Sequence, residues 1–229
     1  MSQGISGISS MATRTLLAEL SRACEQRSGV AVAFESVGGV DAAKRVQAGE
    51  PFDVVVLASD AIAKLADAGR VLADSVVDLV HSGVAVAVKA GAPRPDLSDE
   101  AAVKRAVLAA RSIGYSTGPS GTALLKLFER WGITAQIEGR LVQARAGVPV
   151  GSLVAGGEVE LGFQQLSELI HVEGITIVGP LPVAIQIDTV FSAAVCTTSP
   201  RPDAARALIA FMASSETADA KRRQGMDPA

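Results

Sequence analysis

The chain has 229 residues, 48% of them hydrophobic, which is enough for one large or two small domains with real cores. Only 3% are aromatic and the net charge is −3, so neither a base-stacking surface nor a basic stripe points to nucleic acid. No run of 18 apolar residues occurs, so membrane insertion is not expected.

Short apolar strands alternate with amphipathic helices along the whole chain, which predicts an α/β fold with mostly parallel sheets. The predicted strands, in chain order, are Gly4–Ile8, Val30–Phe34, Asp53–Leu57, Val84–Val88, Ser112–Tyr115, Leu141–Gln143, Glu160–Phe163, Ile175–Val178 and Ile185–Cys196. The main predicted helices cover residues 10–27, 39–48, 60–68, 98–110, 122–131, 149–155, 203–213 and 216–223.

Four of these strands run directly into turns rich in serine, threonine and glycine, and a helix follows each turn. Such a junction offers free backbone N–H groups, small hydroxyls and the positive end of a helix dipole, which together suit an anion. In open α/β sheets these turns gather at the carboxyl ends of the strands, where ligands bind. The pattern therefore predicts a site for a small oxyanion or carboxylate.

Two extended segments, Ser82–Lys89 and Ala184–Cys196, are candidates for strands that cross between two lobes. The first lobe is then predicted to combine both chain ends, residues 1–83 and 186–229. The second lobe is predicted to cover residues 84–185.

The ordered set of motifs resembles the periplasmic molybdate-binding proteins, which have the type II periplasmic-binding-protein fold. The motifs that carry the resemblance are Ile8-Ser9-Ser10, Ser36-Val37-Gly38-Gly39, Gln47–Asp53, Ala58-Ser59-Asp60, Glu129–Ile133, Val178–Pro182 and Ala204–Ser215. The resemblance runs almost end to end. It implies two lobes, each a mostly parallel sheet flanked by helices, with a cleft between them that closes on a small anion.

That family holds its oxyanion with serine hydroxyls and backbone amides, and the matching positions here complete a set of predicted ligand-binding residues. Arg14 joins the set because it lies one helical turn past Ser10 and carries a guanidinium that pairs with carboxylates. Gln165 stands where the family commonly has tyrosine, and its amide both donates and accepts. The predicted ligand-binding residues are Ser9, Ser10, Arg14, Ser36, Gly38, Ser59, Ser116, Ser120, Gly121, Thr122, Val148, Val150, Gln164 and Gln165.

Two functions fit this pattern. The first is a binding protein for a small oxyanion or organic carboxylate, and Arg14 with Gln165 favours an organic acid. The alternative is a cofactor-free isomerase of a small unsaturated polycarboxylate, the reaction of aconitate isomerase, which is similar to members of this fold. Tyr115, the one tyrosine of the chain, is then the candidate group for proton transfer.

The predicted partners follow from the same reading. They are a small anionic ligand and, if the protein is exported, an ABC transporter. No cofactor is expected, and the two histidines and two cysteines show no metal-ligand spacing, so no metal is expected either. Met1–Ser10 lacks the features of a secretory signal. The sequence as written is therefore expected in the cytoplasm, and in the periplasm if a leader was removed.

Overall fold

A computed structural model describes residues 4–145 and 147–229. The strands, in chain order, are β1 (Ile5–Ser10), β2 (Val32–Val37), β3 (Val54–Ala58), β4 (Val77–Lys89), β5 (Ile113–Tyr115), β6 (Leu141–Gln143), β7 (Leu161–Gln165), β8 (Ile175–Pro180), β9 (Asp188–Val195) and β10 (Asp227–Pro228). The α-helices are α1 (Arg14–Ser28), α2 (Gly39–Gln47), α3 (Ser59–Asp67), α4 (Glu100–Ala109), α5 (Pro119–Arg130), α6 (Thr134–Ile137), α7 (Val150–Gly156), α8 (Leu166–Leu169), α9 (Pro202–Ala213) and α10 (Ala218–Arg223).

The described chain divides into two compact units. The first runs up to Ser82 and resumes at Thr189, and the second covers Gly83–Asp188. Strand β4 contributes residues to both units.

The sheet of the first unit has β1 at the centre of three parallel strands. Strand β2 pairs with one side of β1 and β3 with the other, and β9 runs antiparallel to β3. Strand β10 adds an antiparallel pair to the first part of β4. Because β1, β2 and β3 run the same way, their carboxyl ends meet at one edge of the sheet, and α1, α2 and α3 follow from that edge.

Helices cover both faces of this sheet, as strand β3 shows. Val54, Val55, Val56 and Leu57 are each at most 1% exposed. Val54 and Val56 belong to the apolar cluster that includes α1 and α9, whereas Val55 and Leu57 belong to the cluster that includes α2 and α3. The unbroken apolar run thus reflects a strand buried on both faces, as predicted.

The sheet of the second unit is mixed. Strand β5 lies between β6 and β7 and is parallel to both. Strands β7 and β8 both run antiparallel to β4. The main hydrophobic core of the second unit contains Phe128, which lies edge-on to Phe163 with ring centroids 6.2 Å apart.

Helices α4 and α10 begin two residues later than predicted, at Glu100 and Ala218. Two further differences, in α1 and α5, affect predicted site residues. A 3₁₀ turn, Met11–Thr13, separates Ser10 from α1, and the Ser10 side chain caps no backbone group. Helix α5 begins at Pro119 and not at 122, because the fixed φ of proline suits the first helical position. Ser120, Gly121 and Thr122 therefore lie within the first turn of α5. Within residues 4–145 and 147–229, no helix is both long and apolar enough to cross a bilayer.

Candidate functional site

Several of the predicted residues of the first unit lie together at the carboxyl ends of its parallel strands. Ser9 and Ser36 are directly opposite each other in the β1–β2 register, and their hydroxyl oxygens are 2.8 Å apart. Ser10 follows Ser9, and its Cβ is the nearest atom to the space that a side chain on Gly39 would fill. We call Ser9, Ser10, Ser36 and Gly38 the strand-end cluster.

Ser10 has a property that distinguishes it within the strand-end cluster. Its side chain is 7% exposed, yet its hydroxyl oxygen has no hydrogen-bond partner among the residues that the structure describes. A buried hydroxyl without a partner costs free energy, so such a group is a candidate for contact with a bound molecule.

The helix starts beside this cluster carry no side-chain cap, and each has one aspartate in its first turn, Asp41 in α2 and Asp60 in α3. Gly38 precedes α2 and Ala58 precedes α3, and neither residue caps its helix through a side chain. The first N–H groups of both helices therefore lack the usual side-chain acceptor. Ser59 is the first residue of α3 and is exposed, and it makes no side-chain hydrogen bond to the described residues.

Arg14, the first residue of α1, is exposed and lines a cavity of about 370 Å³ together with Ser36. Arg14 forms no ion pair within the described part of the chain, so its guanidinium is free to meet an anion. The nearby acid Glu35 differs, because a hydrogen bond from Arg45 holds the pKa of Glu35 below its usual range.

In the second unit, four predicted residues, Ser116, Ser120, Gly121 and Thr122, lie in the turn between β5 and α5 and the first turn of α5. The Ser116 and Ser120 hydroxyl oxygens are 3.2 Å apart. Gly121 packs so closely that an added Cβ would lie 1.9 Å from the Ser116 carbonyl oxygen. Thr122 is exposed and donates to the Gly118 carbonyl at 3.5 Å. Tyr115 ends β5 and is partly buried.

The start of α7 is closed by a glutamine side chain. Gln164 Oε1 accepts hydrogen bonds from the N–H groups of Val150, at 2.7 Å, and Gly151, at 3.4 Å. The Val150 amide, predicted as a donor to ligand, is therefore engaged within the protein in this structure. Val148 is 38% exposed.

Gln165 caps the start of α8 by position, and its side chain is 3% exposed. Its Oε1 finds no hydrogen-bond donor within residues 4–145 and 147–229. This is the second buried, unpartnered polar group among the predicted residues, after Ser10 in the first unit.

Glu168, in α8, is a candidate functional residue that the sequence did not single out. It is partly buried. Burial raises the pKa of Glu168 to about 7, and a weaker effect of the hydrogen bond from the Gln164 side chain opposes this rise. A carboxyl group with a pKa near neutrality exchanges protons readily at physiological pH. Three residues lie between Gln164 and Glu168, and the Gln-Gln pair at the end of β7 is the signal that could have drawn attention to this segment.

The raised pKa of Glu168 predicts a stability change with pH. The folded protein holds this proton more tightly than the unfolded chain, so stability falls as the pH rises from about 4.5 to about 7. We expect Glu168→Gln to be more stable than the wild type at pH 8, by on the order of 2–3 kcal/mol, and similar to it at pH 4.5. Urea unfolding at both pH values measures this. The control Glu173→Gln, at an exposed residue, should leave the stability unchanged at both pH values. An equal effect of Glu168→Gln at both pH values would contradict the raised pKa of Glu168.

Within the described residues, no group of three His, Cys, Asp or Glu side chains is placed to hold a metal ion. The polar groups of the strand-end cluster are hydroxyls and amide N–H groups beside an arginine, which is the donor set of an anion site.

Comparisons with known proteins agree with the fold. The family model of bacterial extracellular solute-binding proteins matches residues 5–227. An aconitate isomerase from Pseudomonas sp. is 41% identical over 218 residues, which are 92% of this chain and 82% of that protein. The chain therefore belongs to the bacterial extracellular solute-binding protein family.

Solved structures with low sequence identity share the fold. The periplasmic molybdate-binding protein of Azotobacter vinelandii has a TM-score of 0.80 at 21% identity, over 97% of this chain and 98% of that one. The tungstate-binding protein of Desulfovibrio alaskensis has a TM-score of 0.69 at 17% identity, over 95% and 92% of the two chains. These matches confirm the α/β class and the resemblance to the type II binding-protein fold.

Proposed function

We propose that this protein binds a small anion, an oxyanion or an organic carboxylate, through the strand-end cluster of its first unit. The observation that carries the proposal is the buried Ser10 hydroxyl, which has no partner among the described residues. The uncapped starts of α2 and α3 support it, as does the Arg14 guanidinium, which has no ion pair among the described residues. Within the second unit, Gln165 is proposed as a separate polar contact for a ligand, because its Oε1 has no donor among the described residues.

The family supports the same proposal. Its description is that of extracellular solute-binding proteins, and similar folds include proteins named for molybdate and tungstate. We propose a site of action outside the cytoplasm with an ABC transporter as partner. Fractionation of cells that express the complete gene tests this location, and recovery in the cytoplasmic fraction would contradict it.

Ser10→Ala tests the binding proposal without removing any hydrogen bond that the structure shows. We expect the free energy of unfolding to be unchanged or to rise by about 1 kcal/mol, because a buried hydroxyl without a partner is removed. The affinity for trans-aconitate, measured by isothermal titration calorimetry, should fall about 10- to 100-fold, because a hydrogen bond to a charged group is lost. Ser82→Ala is the matched control, since Ser82 is also buried and unpartnered within the described residues. Equal affinities of the Ser10 and Ser82 variants would refute the proposed contact.

A second candidate function, a cofactor-free isomerase of a small unsaturated polycarboxylate, is favoured by the identity to an aconitate isomerase. Such a reaction moves one proton along an allylic system. A base takes a proton from the carbon next to the double bond, the C–H electron pair shifts the double bond, and the proton returns at the other end. Atoms and electrons balance without an oxidant, a reductant or a cofactor.

Two groups are candidates for this proton transfer. They are Tyr115 and Glu168, the latter because burial raises its pKa to about 7. We expect the variant of the responsible group, Tyr115→Phe or Glu168→Gln, to lower kcat for aconitate interconversion about 10²- to 10⁴-fold with little change in KM. An NMR assay that follows the vinyl proton measures this. Full turnover in both variants would exclude both residues, and no turnover in the wild type would exclude the isomerase.

A further inference from the structure

The cavity that holds Arg14 extends along the first unit beyond the strand-end cluster. It is lined by α1 and by the edge strand β2, and we call it the α1–β2 groove. The helix contributes positions 14, 18, 21, 22 and 25. These spacings of three and four residues place them on one face of α1, next to the buried face of Leu16, Leu17 and Leu20.

The floor of the groove is apolar and depends on a glycine in the neighbouring strand. Val32 and Phe34 of β2 line it. The Phe34 ring lies across Gly7 of β1, where an added Cβ would be 2.3 Å from the ring. Packing against Gly7 therefore holds the Phe34 ring in place, and the ring offers a flat apolar surface for the carbon skeleton of a ligand.

The walls of the groove carry two cationic side chains. Arg14 lies at the end that Ser36 also lines, and Arg22 lies eight residues further along the helix, about 12 Å by the helical rise. Neither arginine forms an ion pair within the described part of the chain. Ser21, between them, is 7% exposed, and its hydroxyl has no partner among the described residues.

One carboxylate, Glu25, lines the groove at the opposite end of the α1 stripe from Arg14. The neighbouring acid Glu19 accepts hydrogen bonds from Arg223, at 2.6 Å, and from Gln224, and the charge of Arg22 also helps to lower the pKa of Glu19. Two guanidinium groups against one carboxylate leave the groove with a local positive charge. Glu25 disfavours a further negative charge at its own end.

We infer that the α1–β2 groove binds an organic acid with at least two carboxylates, which pair with Arg14 and Arg22 while the carbon skeleton covers Phe34. This inference rests on the proposed function, because Arg14 and Ser36 belong to both. It narrows the ligand class, since an inorganic tetrahedral oxyanion has no carbon skeleton to cover Phe34.

Tricarballylate, a saturated tricarboxylate that no allylic shift can convert, is the probe, and molybdate is the comparison. We expect Arg22→Gln to weaken tricarballylate binding about tenfold or more in calorimetry. Molybdate binding should change less than about twofold. The control is Arg70→Gln, because Arg70 is an exposed arginine of the same unit outside the groove. This variant should leave the affinities for tricarballylate and molybdate unchanged.

A second variant, Glu25→Gln, distinguishes a specific charge effect from a loss of affinity caused by misfolding. Removal of this negative charge should strengthen tricarballylate binding about two- to fivefold, a gain that a damaged fold does not produce. One outcome overturns the groove inference but leaves the proposed function standing. In it, the wild type binds anions and Ser10→Ala weakens that binding, but Arg22→Gln and Glu25→Gln leave the affinity for tricarballylate unchanged. If the wild type binds no anion, both are overturned.

Discussion

Asp53→Ala is expected to lower the stability of the protein by about 3–4 kcal/mol, as is usual when one partner of a buried ion pair is removed. Asp53 is 2% exposed and lies just before β3. Its Oδ2 accepts hydrogen bonds from the Ser6 N–H at 2.8 Å and from Arg201 at 3.1 Å, and its Oδ1 accepts one from Ser199 at 2.6 Å. This carboxylate therefore ties β1 to the segment that follows β9.

The acid dependence of this effect follows from the Asp53 pKa. Burial raises the pKa, but hydrogen bonds from Ser199 and Ser6 and the charge of Arg201 together outweigh it and lower the pKa below its usual range. The stabilisation is fully present above pH 3.8, the usual pKa of the group, and is lost as the pH falls through the lowered folded value.

Thermal unfolding followed by circular dichroism measures the loss, and we expect the midpoint to fall by about 6–16 °C at pH 7. Asp74→Ala is the control. Asp74 pairs with Arg206, but its side chain is 77% exposed, and exposed pairs contribute about 0–1 kcal/mol. A midpoint for Asp53→Ala that matches the control would show that the hydrogen-bond network does not stabilise the fold.

Gly121→Ala is expected to destabilise the second unit by about 3 kcal/mol and to disturb the Ser116–Ser120 contact. The added Cβ would lie 1.9 Å from the Ser116 carbonyl oxygen and 2.9 Å from the Ser116 carbonyl carbon. Both are backbone atoms, so the turn between β5 and α5 must move. The higher helix propensity of alanine, worth about 1 kcal/mol, offsets only part of this cost.

Gly139→Ala is the matched control, because a Cβ there meets no atom within 4 Å. Chemical denaturation, followed by fluorescence of the one tryptophan, Trp131, which lies just after α5, reports on this unit. Equal denaturation midpoints for the two alanine variants would refute the close approach of Gly121 to the Ser116 carbonyl.

The α/β class and most strands could be predicted from the sequence, because the signals are local. Apolar runs such as Val54–Leu57 predict strands buried on both faces, and Gly29 ends α1 in the left-handed conformation that glycine favours. The predicted start of α5 at residue 122 is three residues late, because Pro119 is the first helical residue.

The candidate site was less predictable, because burial and pairing depend on residues far apart in the chain. The Ser9–Ser36 contact follows from parallel strands that end at the same edge of the sheet, and both residues were predicted from the sequence. The role of Gln164 in closing the start of α7 arises only when β7 packs beside that helix. The raised pKa of Glu168 likewise comes from packing, which no local pattern encodes. Ser21 and Arg22 are not among the residues predicted to bind the ligand, since the groove that they line forms only when α1 packs beside β2.

The most direct test of small-anion binding is a thermal-shift titration of the wild type with molybdate, tungstate, sulfate, phosphate, citrate, cis-aconitate and trans-aconitate. At 100 times its Kd, a ligand that binds only the folded state adds about 2.7 kcal/mol of stability, which is a rise of about 5–11 °C. We predict a saturable rise with at least one of these anions, and largest with the tricarboxylates. An unchanged midpoint with all seven would contradict the proposed function.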